Sequence, residues 1–447
     1  MLVVGACSGA RVTDPQAARQ AADGPARAVP PPPSPTRVPL PPEGAPGEAA
    51  APGAPFEGRE TLAPPEGARA TVPVAILLPL TGNQAALGAD MLDAAQLALF
   101  DAGDHLFQLL PYDAQATADS ALRAVSAAAA DGARLILGPL FAAAVEAAGP
   151  AAQARGINVI AFSNDRRVAR PGTFLIGVPP DQQVRRVVSF AVSRGLARFA
   201  ALVPDSDYGD RTLDSLRRAV EEFGGEVAET GVYAADGTNV AEVIRRLART
   251  ESRQAELERR RRELEGRDDD ASREALRRLT DIEAVEGIAF DALLVPEGGP
   301  RLAGIAPLLP YYGIDPAKVR LLGLASWEGL DLGKEPALLG AWFAAQSPAA
   351  RDAFARRFRA AYGRAPGPIA QLAYDATALA ALLARRPGGP DFSAEAIASP
   401  NGFAGASGIF RFKPDGEVEN GLAVMEVRRD GPRIVAPAPD TFMALQN

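Results

Sequence analysis

Cysteine and histidine are almost missing from this chain: each occurs once in 447 residues. One cysteine, Cys7, cannot close an internal disulfide. One histidine, His105, cannot build a histidine-rich metal site, and acid–base chemistry near neutral pH loses its usual carrier. A solitary histidine reads as a structural residue. No apolar run approaches the ~20 residues that a membrane-spanning helix needs. Positive charge is not in excess, since 47 Lys and Arg face 55 Asp and Glu for a net charge of -8. Phosphate binding needs clustered positive charge, so the composition gives no support for a nucleic-acid surface. A Gly-rich phosphate loop with Lys, a metal-ligand spacing and a Ser–His pairing are all lacking. These absences point away from an enzyme without excluding a carboxylate-based one, and the expectation is a non-catalytic binding protein that needs no cofactor.

Two textures make up the chain. Residues from about Gly9 to Thr71 are rich in Pro, Ala and Gly, with Pro30-Pro31-Pro32-Pro33 in their midst. They show no apolar periodicity and have little to bury, which predicts disorder or extended polyproline II. Fully extended at ~3.1 Å per residue such a segment reaches ~190 Å, and as a flexible coil ~45 Å. It follows Val4-Gly5-Ala6-Cys7-Ser8, which resembles a bacterial lipobox and marks Cys7 as the lipidated residue. Met1-Leu2-Val3 is far shorter than a signal peptide, so the start is expected to be truncated or the initiator misplaced. Ser8 in place of an Asp favours the outer membrane.

From Val72 the pattern is strand and helix in alternation. Val74-Ala75-Ile76-Leu77-Leu78 is a short apolar run closed by Pro-Leu-Thr-Gly, as a buried parallel strand requires. Helical spacing follows over Leu87 to Asp101, then a strand at Leu106 to Tyr112 and an Ala-rich helix at Thr117 to Ala130. Arg134 to Gly138 is a strand, Ala142 to Ala154 a helix, and Ile157 to Ile160 a strand. A second series runs through Thr173 to Gly177, Asp181 to Arg194, Phe199 to Val203, Tyr208 to Phe223 and Val227 to Tyr233. Gly224-Gly225 stands where a helix stop belongs. Later strands are expected at Asp291 to Val295 and Val319 to Leu322. The alternation predicts an α/β fold of two doubly wound units, with a ligand cleft outside the carboxyl ends of their strands.

Val74 to Gly88 (VAILLPLTGNQAALG), Leu137-Gly138-Pro139-Leu140, Val159 to Ser163, Asp207-Tyr208-Gly209 and Ile369 to Ala380 (IAQLAYDATALA) resemble, in order, landmarks of the type 1 periplasmic binding proteins. The leucine/isoleucine/valine-binding proteins are of this kind. Phe403 to Gly408, followed by Phe410 to Gly416, is similar to the closing segment of that family. The resemblance covers about Val72 to Val435 and implies two lobes joined by three crossings, placed near Val178, Ala325 and Phe403. The expected organisation is then 1–7 as the remnant lipoprotein signal and 8–71 as tether. Residues 72–177 plus 326–402 would form lobe one, and 178–325 plus 403–440 lobe two.

Loops after the strands supply the cleft candidates: Thr81, Gly82, Leu140, Phe141, Ser163, Asn164, Tyr208 and Glu297. Each also has a plainer reading. Gly82 serves a turn, Phe141 belongs to the core, Tyr208 opens a helix and Glu297 is a solvated loop acid. The resemblance implies a hydroxyl in the loop after the third strand, yet Phe141-Ala142-Ala143-Ala144-Val145 has none. The Arg expected soon after Phe174 is also missing, since Leu175-Ile176-Gly177 follows. A buried α-carboxylate without donors costs several kcal/mol, so both departures count against an ordinary amino-acid receptor.

Leu77 to Gly82 and Leu137 to Leu140 are similar to another branch of the fold, the carboxyl-terminal domains of penicillin-binding protein activators. That resemblance implies an outer-membrane lipoprotein regulating a peptidoglycan synthase by contact, although a tether replaces the helical-repeat domain found in some activators. The alternative is the receptor of an ABC transporter for an amino acid or related solute, with the permease as partner. One more feature stands apart: 248–286 is a charged insertion containing Glu256 to Glu265 (ELERRRRELE). Gly266 breaks it, and an Asp cluster suits the start of a second helix. Its sparse apolar positions favour a solvated helical elaboration over a docking arm.

Overall fold

The computed structural model describes residues 71–103, 107–267, 269–282 and 288–442. His105, Cys7 and nearly all of the tether lie outside these residues.

Two buried sheets carry the body. The first contains β1 (Val72–Leu78), β2 (Phe107–Asp113), β3 (Leu135–Leu137), β4 (Asn158–Ala161) and β5 (Thr173–Leu175). All pair in parallel, in the order β2-β1-β3-β4-β5. Alternate side chains explain why its inner strands β1 and β3 read as apolar runs. Val74, Ile76 and Leu78 enter a core on one face, while Ala75 and Leu77 enter a core on the other. Helices Ala118–Ala130 and Ala142–Gln153 cover one face, and Ala85–Ala102 and Ala370–Ala384 the other.

The second sheet contains β6 (Arg198–Pro204), β7 (Glu226–Tyr233), β8 (Ala292–Leu294), β9 (Arg320–Gly323) and β10 (Trp342–Ala345). After β11 (Phe403–Gly405), β12 (Gly408–Phe412) and β13 (Val418–Asn420), it is completed by β14 (Ala423–Glu426) and β15 (Arg433–Ala436). Its order is β15-β14-β10-β9-β8-β6-β7. β14 pairs antiparallel with β10, and β15 antiparallel with β14, so this sheet is mixed. It too is buried on both faces: Leu202, Leu293 and Leu321 point one way, Val203, Leu294 and Leu322 the other.

Two expected crossings shift. β10 pairs with β9 at Trp342↔Leu322 and with β14, so the segment after Ala325 stays with the second sheet and leaves only after Ala345. Trp342–Ala345 is four apolar residues without periodicity, and only its pairing identifies it as a strand. Likewise β11, β12 and β13 form a separate three-stranded sheet whose Phe410, Phe412 and Val418 pack into the core of the first lobe. The last passage between lobes therefore falls between Asn420 and Ala423, not at Phe403. The charged insertion is two helices, Thr250–Glu265 and Asp270–Ile282, packed on one another.

Ile76 is fully buried among β2, β3 and the helix Ala370–Ala384. Ile76→Ala should lower unfolding stability by about 2–5 kcal/mol, read as a shift of the denaturant midpoint at unchanged slope.

Candidate functional site

A cleft of about 590 Å³ lies where loops from the carboxyl ends of both sheets meet. That size suits a small organic molecule. After β3 the backbone turns at Gly138, at φ +91°, where a Cβ would stand 2.3 Å from the Leu77 carbonyl oxygen. Only glycine fits, and the turn delivers Leu140, Phe141 and Ala142 to the cleft. Here the hydroxyl-free stretch forms an apolar wall, continued by Phe162, Ile369 and Leu372.

After β4 come Ser163, Asn164 and Asp165, all at the cleft. The Ser163 hydroxyl oxygen accepts from the Asp165 N–H at 3.1 Å. Asp165 is 6% exposed and is gripped by two guanidinium groups, Arg167 Nη2 and Arg211 Nη1, each at 2.8 Å. Hydrogen bonds from Arg167, helped by the charge of Arg211, hold its carboxyl below the ordinary aspartate range against the opposing effect of burial. Arg167 belongs to the same loop, but Arg211 lies on helix Asp207–Glu222 of the second lobe. The same loop sends Arg167 to Asp207 at 3.5 Å and Arg166 to Asp181 at 3.1 Å.

Helix Asp207–Glu222 begins with the Ser206 hydroxyl accepting from Gly209 N–H at 3.2 Å. Gly209 is required, because a Cβ would meet the Pro204 carbonyl oxygen at 1.9 Å. Tyr208 therefore sits against the cleft and donates to the Pro296 carbonyl at 3.2 Å. Burial first, and the nearby Glu297 charge second, push its phenol up to about 12. It is neutral at physiological pH.

Three amides and a carboxylate complete the lining. Gln183 donates to the Val178 carbonyl at 3.0 Å and accepts from Ala325 N–H at 2.8 Å. Glu328 accepts from the backbone N–H of Gln346 at 2.8 Å and pairs with Arg351. Burial pushes the Glu328 carboxyl above the ordinary glutamate range, against the pull of Arg351. Gln371 Nε2 stands 3.5 Å from Gln346 Oε1, while Gln346 Nε2 is buried with no partner.

Five of the eight candidate residues thus meet in this cleft: Leu140, Phe141, Ser163, Asn164 and Tyr208. The other three lie elsewhere. Thr81 is occupied by Asp113 and Gln115 in the loop beyond β1, and Gly82 turns that loop at φ +77°. Glu297 lines a separate hollow, where it accepts from the Tyr233 hydroxyl. Asp165, Gln183, Arg211, Glu328, Gln346 and Gln371 were not among the candidates. Arg211 stands one helical turn after Tyr208, a spacing that places both on one face. Gln371 lies inside the Ile369 to Ala380 landmark. Gln346 follows the unrecognised β10. Among the described residues, no group of three His, Cys, Asp or Glu could hold a metal ion.

Asp165→Asn should cost about 1.5–3 kcal/mol of unfolding stability at neutral pH, through loss of charged hydrogen bonds. Because the folded-state carboxyl is depressed, the stabilisation is full above the ordinary aspartate range and is lost as pH falls through the folded value. Denaturant titrations of the two proteins should therefore converge in acid.

The family model for periplasmic binding protein matches residues 71–432. A protein assigned to a branched-chain amino acid ABC transporter of Rhodospirillum rubrum is 21% identical, with a TM-score of 0.65 over 82% of this chain and 100% of that one. A solute-binding protein of Rhodopseudomonas palustris, solved with 3,4-dihydroxybenzoic acid, is 18% identical, with a TM-score of 0.58 over 83% and 97%. An isoleucine-bound substrate-binding protein of Streptococcus pneumoniae is 18% identical, with a TM-score of 0.55 over 82% and 100%. Among curated sequences, an uncharacterized Rickettsia prowazekii protein is 24% identical over 177 residues, which is 40% of this chain and 47% of that protein. The chain thus spans about half the length of that relative.

Proposed function

The chain belongs to the periplasmic binding protein family, and from that membership we propose that it is the solute-binding receptor of an ABC-type transporter. The observation that carries this reading is the cleft itself. Both lobes line it, an apolar wall faces a set of positioned polar side chains, and Val178 and Gln346, where we place two chain crossings, border it. Lobes joined by short crossings can close on a small molecule by rotation about those segments. Family membership carries a periplasmic location. Anchoring through Cys7, and residence at the outer membrane, belong to the proposal.

The regulator of a peptidoglycan synthase is the second reading, favoured by the hydroxyl-free Phe141 to Val145 loop and by the resemblance of Leu137 to Leu140 to the activator branch. Thermal unfolding of the full chain against a broad panel of metabolites separates the two. A specific solute at about a hundred times its dissociation constant adds ~2.7 kcal/mol, a rise of a few degrees. At least one such rise is expected. A flat panel, together with co-purification of a peptidoglycan synthase, would replace the receptor by the regulator. Cys7→Ser should move the protein from the membrane to the soluble fraction of the native cell.

A further inference from the structure

The cleft accounts for its own negative charges and leaves donors over. Two carboxylates line it, Asp165 and Glu328. Asp165 is shared between Arg167 and Arg211. Glu328 gives one oxygen to the Gln346 N–H and the other to Arg351. Neither carries charge in surplus. An incoming ammonium group has three donors and no acceptor, and it must recover its hydration from acceptors, at least one of them charged. Taking Glu328 would strip Arg351, and taking Asp165 would strip Arg211 of its partner among the described residues.

Donors are in the opposite condition. Gln346 is 4% exposed, and its Nε2 is buried without a partner. A buried donor left unmade is costly, which makes it a place for an acceptor oxygen. Arg211 commits Nη1 to Asp165, its partner among the described residues, while a guanidinium carries five N–H donors. Its side chain is 33% exposed at the cleft. A planar fork of this kind suits a carboxylate. Beside these groups and the uncharged polar side chains of the lining, Leu140, Phe141, Phe162, Ile369 and Leu372 present a hydrocarbon wall.

We propose that the solute is an apolar carboxylic acid without an α-ammonium group, its carboxylate held by Arg211, with Gln346 Nε2 donating to an acceptor oxygen of the solute. This rests on the receptor reading and narrows it. Each CH₂ buried on the wall adds about 0.8 kcal/mol, so longer or branched tails bind more tightly until the cleft is full.

The test uses the full chain and calorimetric titration of matched pairs: 4-methylpentanoate against L-leucine, and 3-phenylpropanoate against L-phenylalanine. The amide 4-methylpentanamide serves as the uncharged control. The acids should bind at least tenfold more tightly than the amino acids and than the amide. Arg211→Gln should weaken acid binding at least tenfold and Gln346→Leu several-fold, with circular dichroism confirming the fold. The ligand-side comparison needs no variant and stands even if Arg211→Gln unfolds. Amino acids binding as tightly as their acids, or acid binding untouched in a folded Arg211→Gln, overturns the proposal and leaves the receptor standing. So does a non-acid from the metabolite panel binding where no acid does. Silence from every compound in both panels overturns the receptor reading as well.

Discussion

Glu328 fastens the place where the chain passes from one lobe to the other. It extends from the short helical turn after β9, in the second lobe, and accepts the N–H of Gln346 just as the chain leaves β10. Its other oxygen meets Arg351, on the helix Pro348–Tyr362 that begins the return through the first lobe. A buried carboxylate raised by desolvation is costly alone, yet here it satisfies a backbone donor at a crossing, where no sheet partner is available. The direction in which β10 releases the chain, and with it the position of Gln346 at the cleft, depends on this carboxylate.

The sheets were legible because both of their faces are buried. A strand such as β1, with Ile76 and Leu77 in opposite cores, must be apolar at every position, and a run of that kind stands out in a sequence. The glycines at Gly138 and Gly209 mark close backbone approaches, and the segments beside them carry Leu140, Phe141 and Tyr208 to the cleft. Less could be read where pairing rather than pattern decides. β10 is four residues long and has no period of its own, so its sheet, and the crossing after it, could not be seen. β12 alternates buried and half-buried side chains as any hairpin would, and nothing local says which lobe it serves. Arg211 and Asp165 lie 46 residues apart in the chain, and no local rule announces that they meet. Thr81 and Glu297 follow strands as cleft residues should, but each is held by a neighbouring polar side chain that its own strand does not predict.

The charged insertion shows how little a helix pair needs in order to fold against itself. Helix Thr250–Glu265 has arginines and glutamates on nearly every face, and ion pairs such as Arg262 to Glu258 at 3.4 Å span one turn. Such exposed pairs contribute tenths of a kcal/mol. The insertion enters through Arg249, the one described non-glycine residue in the left-handed region, at φ 49°, whose guanidinium is tied to Glu229 of β7. The second lobe thus steers the insertion at its root and leaves its far end to solvent.

The loop from Asp165 to Arg167 reaches across to the second lobe through contacts of graded depth. Asp165 is almost sheltered, whereas Arg167 and Asp207 are 60% and 81% exposed. Dissolved ions screen exposed charges over about 8 Å at physiological ionic strength and much less effectively inside a protein. Rising salt would therefore loosen the outer clasp while the inner one holds. The freedom of the lobes to part is thus a property of the surrounding fluid as well as of the chain.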